Sequence, residues 1–145
     1  MSSTSADVLV VGAGPTGLAL AVALAARGRA ALVVDRQAAG ANTSRAAVVH
    51  ARTLEALEGV GVAPRLVALG LRCATFTVRD RDRELARFDF AQLPTRYPYA
   101  LMLSQAATES VLLARLGELG GAVLRPRTLV ALAQDDAGVE AELDD

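Results

Sequence analysis

Three glycines and one acidic residue have the types and the spacing needed to hold a dinucleotide. Gly12, Gly14 and Gly17 form a G-x-G-x-x-G pattern directly after the apolar run 8–11, which is typical of a buried strand entering a phosphate-binding turn. In such a turn the first glycine allows a tight bend, the second lets the backbone approach a pyrophosphate, and the third lets the following helix contact the strand closely. The pattern therefore predicts a nucleotide cofactor.

The residues around this pattern support the same interpretation. Backbone N–H groups at the helix start, around Pro15 and Thr16, would face the phosphates, and the helix that follows is apolar on every side, which predicts burial. A second apolar run ends at Asp35, 18 positions after Gly17, close to the roughly 20-residue offset at which an acidic side chain binds ribose hydroxyls. The alternative is a turn without phosphate, with Asp35 hydrated at a strand end.

Composition excludes several other classes of function. The chain has 145 residues and a net charge of −1, a balance that does not favour nucleic acid or an anionic membrane as a partner. Its single cysteine, Cys73, excludes an internal disulfide and a multi-cysteine zinc site, and we interpret it as a thiol in a strand core. The single histidine, His50, has no metal-ligating partner in sequence and is interpreted as structural. No metal site is expected.

The N-terminus lacks the basic flank of a secretory signal, and the apolar stretch 18–26 is too short to cross a bilayer. We therefore expect a cytoplasmic protein. The length fits one domain or the first part of a larger one.

The remaining patterns predict an α/β fold in which a Rossmann-like βαβ unit is followed by an antiparallel excursion. A polar loop over 38–49 precedes two short helices, and a hairpin with the charged turn Asp80–Arg83 follows. Ser104 is a plausible N-cap for the next helix. We expect three regions: the cofactor-binding core with its helices over 1–72, the excursion over 73–103, and the return to the cofactor-binding domain over 104–145. Further strands are predicted over 30–34, 99–103, 122–124, 128–134 and 139–143.

The order of these motifs resembles the amino-terminal part of the class A flavin-dependent aromatic hydroxylases, of which para-hydroxybenzoate hydroxylase is the type member. The closer similarity is to the phenol and polyketide hydroxylases of actinobacterial pathways, and it covers essentially the whole chain. The segments that carry it are the glycine pattern with Pro15-Thr16, Asp35-Arg36, Ser44-Arg45-Ala46, His50-Ala51-Arg52-Thr53-Leu54-Glu55, Pro94-Thr95-Arg96-Tyr97-Pro98 and Ser104-Gln105.

This resemblance implies FAD as the cofactor and NAD(P)H as a transient reductant. By position, the three glycines would hold the pyrophosphate, and Asp35, where the family more often has glutamate, would bind the adenosine ribose. Arg36 would lie along the adenosine, Arg45 near the flavin and pyrophosphate, and Gln105 beside the ribityl chain. Arg45 is equally compatible with a hydrated loop residue.

The resemblance also implies an aromatic or polyketide-type substrate, which is hydroxylated with molecular oxygen. Relatives next have an Asp-Gly motif, then a Gly-Asp motif and most of a substrate domain, none of which is present here. No catalytic residue is assigned in this chain, which we expect to be inactive without a further C-terminal portion. Two alternatives stay open: a fragment of an NAD-dependent dehydrogenase, and a non-catalytic FAD-binding fragment. Tyr97, Pro98 and Tyr99 either approach a substrate or simply contribute to packing.

Overall fold

The computed structural model describes residues 4–40 and 48–144. The chain divides into two compact units, one formed by residues 1–43 with 112–145 and the other by residues 44–111. The first unit contains the predicted βαβ core and the second contains the antiparallel excursion, so the predicted α/β class is confirmed. The predicted division into residues 1–72, 73–103 and 104–145 stays a prediction.

The first unit is built on a parallel sheet. β1 (Val8–Val11) leads into α1 (Pro15–Ala25) and then β2 (Ala31–Val34), and β8 (Val123–Leu124) pairs with the far side of β2, which gives the order β1-β2-β8. All these pairings are parallel. Apolar residues of the sheet and of α1 form the core of this unit, and β2 is buried on both faces at its end, because its adjacent last two residues are both buried. The core residues are Val10, Leu18, Ala21, Val22, Val33 and Val34.

The prediction that α1 is buried on every side was wrong. Leu20 is 47% exposed, while Leu18 is 1% exposed. A helix that covers one face of a sheet buries only the stripe that contacts it, and here the outer side carries apolar residues such as Leu20 instead of charged ones. The helix ends as predicted, because Gly28 has a φ of 70° and its N–H donates to the Ala25 carbonyl at 2.9 Å.

Gly17 is the point of closest approach between α1 and β1. A Cβ at this position would lie 1.9 Å from the carbonyl oxygen of Gly12, so no larger residue fits without displacing backbone. Gly14 is different, since it is the N-cap of α1 with φ −76° and ψ −175°, a conformation open to any residue. No described atom lies within 4 Å of its Cβ position.

A long hairpin completes the first unit. β9 (Thr128–Asp135) and β10 (Gly138–Asp144) pair antiparallel. The carboxylate of Asp135 accepts hydrogen bonds from the N–H groups of Ala137 at 2.8 Å and Gly138 at 3.1 Å. This acidic residue therefore forms the turn, as its sequence context predicts.

The second unit contains an antiparallel sheet in the order β3-β7-β4. These strands are β3 (Val48–Val49), β7 (Ala100–Met102) and β4 (Leu71–Cys73). The predicted loop over 38–49 ends earlier than expected, because its last two residues pair with β7. The two predicted helices are present as α2 (Ala51–Glu58) and α3 (Ala63–Leu69).

The predicted hairpin is formed by β5 (Thr75–Asp80) and β6 (Arg83–Asp89), and a 3₁₀ helix (Phe90–Gln92) follows. Phe76 is paired with Phe88 and Val78 with Ala86, because the short turn fixes a register in which these residues stand opposite each other on one face.

The helix α4 (Gln105–Glu118) begins in the second unit, and its residues from Leu112 onward belong to the first. Its start is capped as predicted. The hydroxyl of Ser104 accepts from the Ala107 N–H at 3.2 Å, and the Ser104 carbonyl accepts from the Thr108 N–H at 3.1 Å. None of the described helices has the length and hydropathy needed to cross a membrane.

The two glycines at the start of α1 are expected to differ in how much stability is lost when each is replaced by alanine. Gly17→Ala is expected to lower the free energy of unfolding by about 1–3 kcal/mol or more, because the new methyl group meets backbone. Gly14→Ala is the matched control, with a loss of at most about 1 kcal/mol from replacing an N-cap glycine. Urea unfolding followed by circular dichroism measures both. Equal losses in the two variants would contradict the close approach at Gly17.

Candidate functional site

The glycine turn is held against the end of β2. Gly12 has a φ of 100°, a conformation that L side chains rarely adopt, and its N–H donates to the Val34 carbonyl at 2.8 Å. Pro15 occupies the first turn of α1 and Thr16 is exposed beside it. The positive end of the helix dipole and its free N–H groups are therefore available to an anion at this turn.

The space beside Gly14 is open. Neither the backbone conformation nor any described neighbour requires glycine at this position, so the fold does not explain the residue type. Removing the Cβ does let a ligand approach the backbone N–H groups closely. The first and third glycines of the pattern are thus accounted for by the fold, whereas the second is not.

Asp35 connects the glycine turn to the strand end. One of its carboxylate oxygens, Oδ2, accepts a hydrogen bond from the Ala13 N–H at 2.6 Å, and Oδ1 accepts from the Gln37 N–H at 2.8 Å. Its side chain is only 13% exposed. An ionised carboxylate offers about four acceptor sites, so about two remain, which is the number that the two hydroxyls of a ribose require.

Arg125 is a member of this site that the sequence analysis missed. It follows β8, and its Nη2 lies 3.8 Å from the Asp35 carboxylate and 3.4 Å from the Ala13 carbonyl oxygen. The signal available in the sequence was its position, because it follows a predicted parallel strand just as Asp35 does. The carboxyl ends of parallel strands meet at the same edge of a sheet.

The other predicted cofactor residues are placed differently. Arg36 follows Asp35 and is exposed. Gln105 lies at the start of α4, where its Nε2 donates to the buried Glu109 carboxylate at 2.8 Å; this bond fixes the amide orientation and leaves its oxygen available. Arg45 lies outside the described residues. Roles for these three residues stay predictions.

A second polar cluster joins two of the motif segments in the second unit. The Thr95 hydroxyl donates to Glu55 at 2.5 Å and also accepts from the Tyr97 N–H at 3.2 Å, while Arg96 forms an ion pair with Glu58. Residues 40 positions apart are thus fixed against each other. The segment with Glu55 and the segment with Thr95 both carry the family resemblance, and this contact gives a structural reason for their occurrence together.

Aromatic residues of the same segment contribute to packing. Tyr97 is 8% exposed, and its ring meets that of Tyr99 edge to face at 6.2 Å. The Arg72 guanidinium lies 5.4 Å from the Tyr99 ring centre. Burial, together with the charge and hydrogen bond of Glu58, raises the pKa of the Tyr97 hydroxyl. Tyr97 therefore stays protonated at neutral pH, and its packing role is the one that the structure supports.

The described residues contain no group of three or more His, Cys, Asp and Glu side chains suited to a metal ion. His50 is exposed and precedes α2. Cys73 ends β4 and is partly buried, so it lies at the margin of the strand core.

The comparisons with known proteins agree on one kind of protein. Residues 5–145 match the family model described as FAD binding domain. The chain is 50% identical over 116 residues to 6-methylpretetramide 4-monooxygenase of Streptomyces rimosus, covering 79% of this chain and 21% of that protein. It is 38% identical over 145 residues to pentachlorophenol 4-monooxygenase of Sphingobium chlorophenolicum, covering 97% of this chain and 27% of that protein.

A solved structure extends this similarity to the fold. The ternary complex of aklavinone-11 hydroxylase with FAD and aklavinone matches 99% of this chain and 30% of that chain, with a TM-score of 0.82 and 34% identity. The chain thus spans about a quarter of the length of the two monooxygenases, at 21% and 27%.

The contact between Thr95 and Glu55 predicts a pH dependence. Hydrogen bonds from Thr95 and then Arg52 hold the pKa of the Glu55 carboxyl below its ordinary value of 4.5. A lowered folded-state pKa stabilises the fold above the unfolded value, and that contribution is lost as pH falls through the folded value. Thr95→Val should therefore raise the pKa of Glu55, and it should reduce the loss of stability on acidification below about pH 4.5.

Carboxyl titration by NMR and acid unfolding measure these two effects. Thr75→Val, on an exposed strand position, is the matched control and should leave the pKa of Glu55 unchanged. An unaltered Glu55 titration in Thr95→Val would contradict the assigned hydrogen bond.

Proposed function

Because the chain belongs to the family of FAD-binding domains, we propose that it forms the FAD-binding part of a flavin-dependent monooxygenase. The protein would hydroxylate an aromatic or polyketide-type substrate with NAD(P)H and molecular oxygen. The observation that carries this proposal is the joint arrangement of the glycine turn and Asp35, within a chain that matches the family over residues 5–145. When bound and reduced, FAD supplies the oxygen-activating chemistry.

The residues present would hold the adenosine half of FAD. The N–H groups of Gly12 and Ala13 are used within the protein, so the backbone N–H groups of Gly14, Thr16 and Gly17 at the start of α1 would bind the pyrophosphate. The free acceptor sites of Asp35 would bind the ribose hydroxyls, and Arg36 would lie along the adenosine. For the flavin side we carry over only Arg45 and Gln105, both from the family resemblance.

The family match favours FAD over the nicotinamide alternative, although both cofactors would use the same turn and acidic residue. NAD(P)H then acts as the transient reductant. We infer a cytoplasmic location because that reductant is supplied there.

The substrate class is inferred from relatives whose names refer to chemically different molecules. The relatives are named for 6-methylpretetramide and pentachlorophenol, and the solved neighbour contains aklavinone. These molecules share a hydroxylated ring, so we propose a phenolic ring as the group that is oxidised. The substrate contacts would come largely from the part of such enzymes that has no counterpart in residues 1–145.

FAD is expected to bind tightly to the polypeptide that carries this chain, and NAD only weakly. Reconstitution should give a yellow protein, and fluorescence titration gives the two dissociation constants. Gly14→Ala is the matched variant: its new methyl group occupies the space assigned to the pyrophosphate, so FAD affinity should fall about tenfold or more while the fold is retained. Tight NAD binding without retained flavin would overturn the assignment.

Hydroxylation is tested with the same polypeptide. NAD(P)H consumption should be coupled to formation of a hydroxylated phenol, whereas residues 1–145 alone should bind FAD weakly and insert no oxygen. Oxygen insertion by this chain alone would contradict the proposal that the substrate contacts lie largely outside residues 1–145.

Asp35→Ala is expected to weaken FAD binding by about 1.5–3 kcal/mol, the range for hydrogen bonds to a charged group. Isothermal titration measures the loss, and Asp136→Ala, in the exposed β9–β10 turn, is the control for removing one carboxylate. An unchanged dissociation constant in Asp35→Ala would place the ribose elsewhere.

A further inference from the structure

Arg125 is fixed beside Asp35 by the backbone on both sides of it. The Asp35 N–H donates to the Leu124 carbonyl at 3.1 Å, and the Arg127 N–H donates to the Asp35 carbonyl at 2.8 Å. The side chains of Arg125 and Asp35 are 14% and 13% exposed. An arginine at this place is therefore held at the strand edge by the sheet itself, with little freedom to turn away.

The separation between the two charges matters for what Asp35 can bind. At 3.8 Å, the Arg125 Nη2 is too far from Oδ2 for a hydrogen bond, so the cation attracts the carboxylate without using its acceptor sites. The pyrophosphate of FAD brings further negative charge to the same turn. A positive group here offsets the repulsion between that charge and Asp35.

One donor of Arg125 has no partner. Its Nε is buried, and no described residue accepts a hydrogen bond from it. A buried N–H group without an acceptor is costly, and in native proteins it calls for a specific explanation. At the edge of a cofactor site, that explanation is an acceptor atom supplied by the ligand.

We propose that Arg125 is a binding and positioning residue of the adenosine half of the cofactor site. It holds Asp35 in place through charge, and its Nε–H donates to an acceptor atom of the adenosine moiety. The inference rests on the proposed function, since it assumes that this edge of the sheet binds FAD. It adds a cationic residue, from a different strand end, to the glycine turn and Asp35.

The test compares dissociation constants for FAD and for ADP, which contains only the adenosine and phosphate groups. Arg125→Met should raise both by about 10- to 100-fold, as for loss of a charged hydrogen-bonding partner. Arg125→Lys keeps the charge but lacks the Nε donor, so its effect should be smaller yet measurable. Arg29→Met, an exposed arginine before β2, should stay within about twofold.

Two further measurements separate binding from folding. The thermal unfolding temperature of Arg125→Lys should equal that of the wild type. In an Asp35→Ala background, Arg125→Met should cost less affinity than it does alone, because part of its effect acts through Asp35. If Arg125→Met does not fold, the Lys variant decides the question.

Wild-type ADP affinity in a folded Arg125→Met or Arg125→Lys protein would overturn the inference. Equal costs of Arg125→Met with and without Asp35 would overturn the positioning role. A wild-type protein that binds neither FAD nor ADP would instead contradict the proposed function.

Discussion

The hydrogen bond from the Ala13 N–H to the Asp35 carboxylate is the contact on which the first unit's site depends. It joins residues 22 positions apart at 2.6 Å, and it fixes the glycine turn relative to the end of β2. A hydrogen bond to an ionised acceptor in a partly buried place is among the stronger ones in proteins. Without it, the Gly12 bond to the Val34 carbonyl would still hold the turn backbone against β2, but the acidic side chain would not be fixed against the turn.

In the proposed site, Asp35 would have two tasks that use different acceptor sites. One pair of sites organises the protein through Ala13 and Gln37, and about two others remain for a ligand. Arg125 adds charge at a distance that leaves those sites free. The site is thus largely preorganised, which reduces the ordering cost of binding a cofactor.

The glycine turn and Asp35 could be found from sequence because they follow apolar runs at a spacing fixed by strand and helix lengths. The start and end of α1 and the cap at Ser104 were also accessible, since local residue types determine them. The partial exposure of α1 was not, because an apolar outer face has the same sequence signature as a buried one. The contact of Thr95 with Glu55 was missed because it depends on which segments meet, and periodicity within one segment carries no information about that. Arg125 was accessible in principle, since it follows a predicted parallel strand as Asp35 does.

The two glycines at the start of α1 have a consequence for how such motifs are interpreted across related chains. Gly17 is required by the approach of α1 to β1, whereas Gly14 has ordinary backbone angles and no described atom near its Cβ position. A descendant that lost its cofactor but kept its fold would retain the third glycine of the pattern and be free to vary the second. Variation at position 14 with glycine kept at position 17 would therefore indicate a pseudo-enzyme that has kept the fold and lost the cofactor.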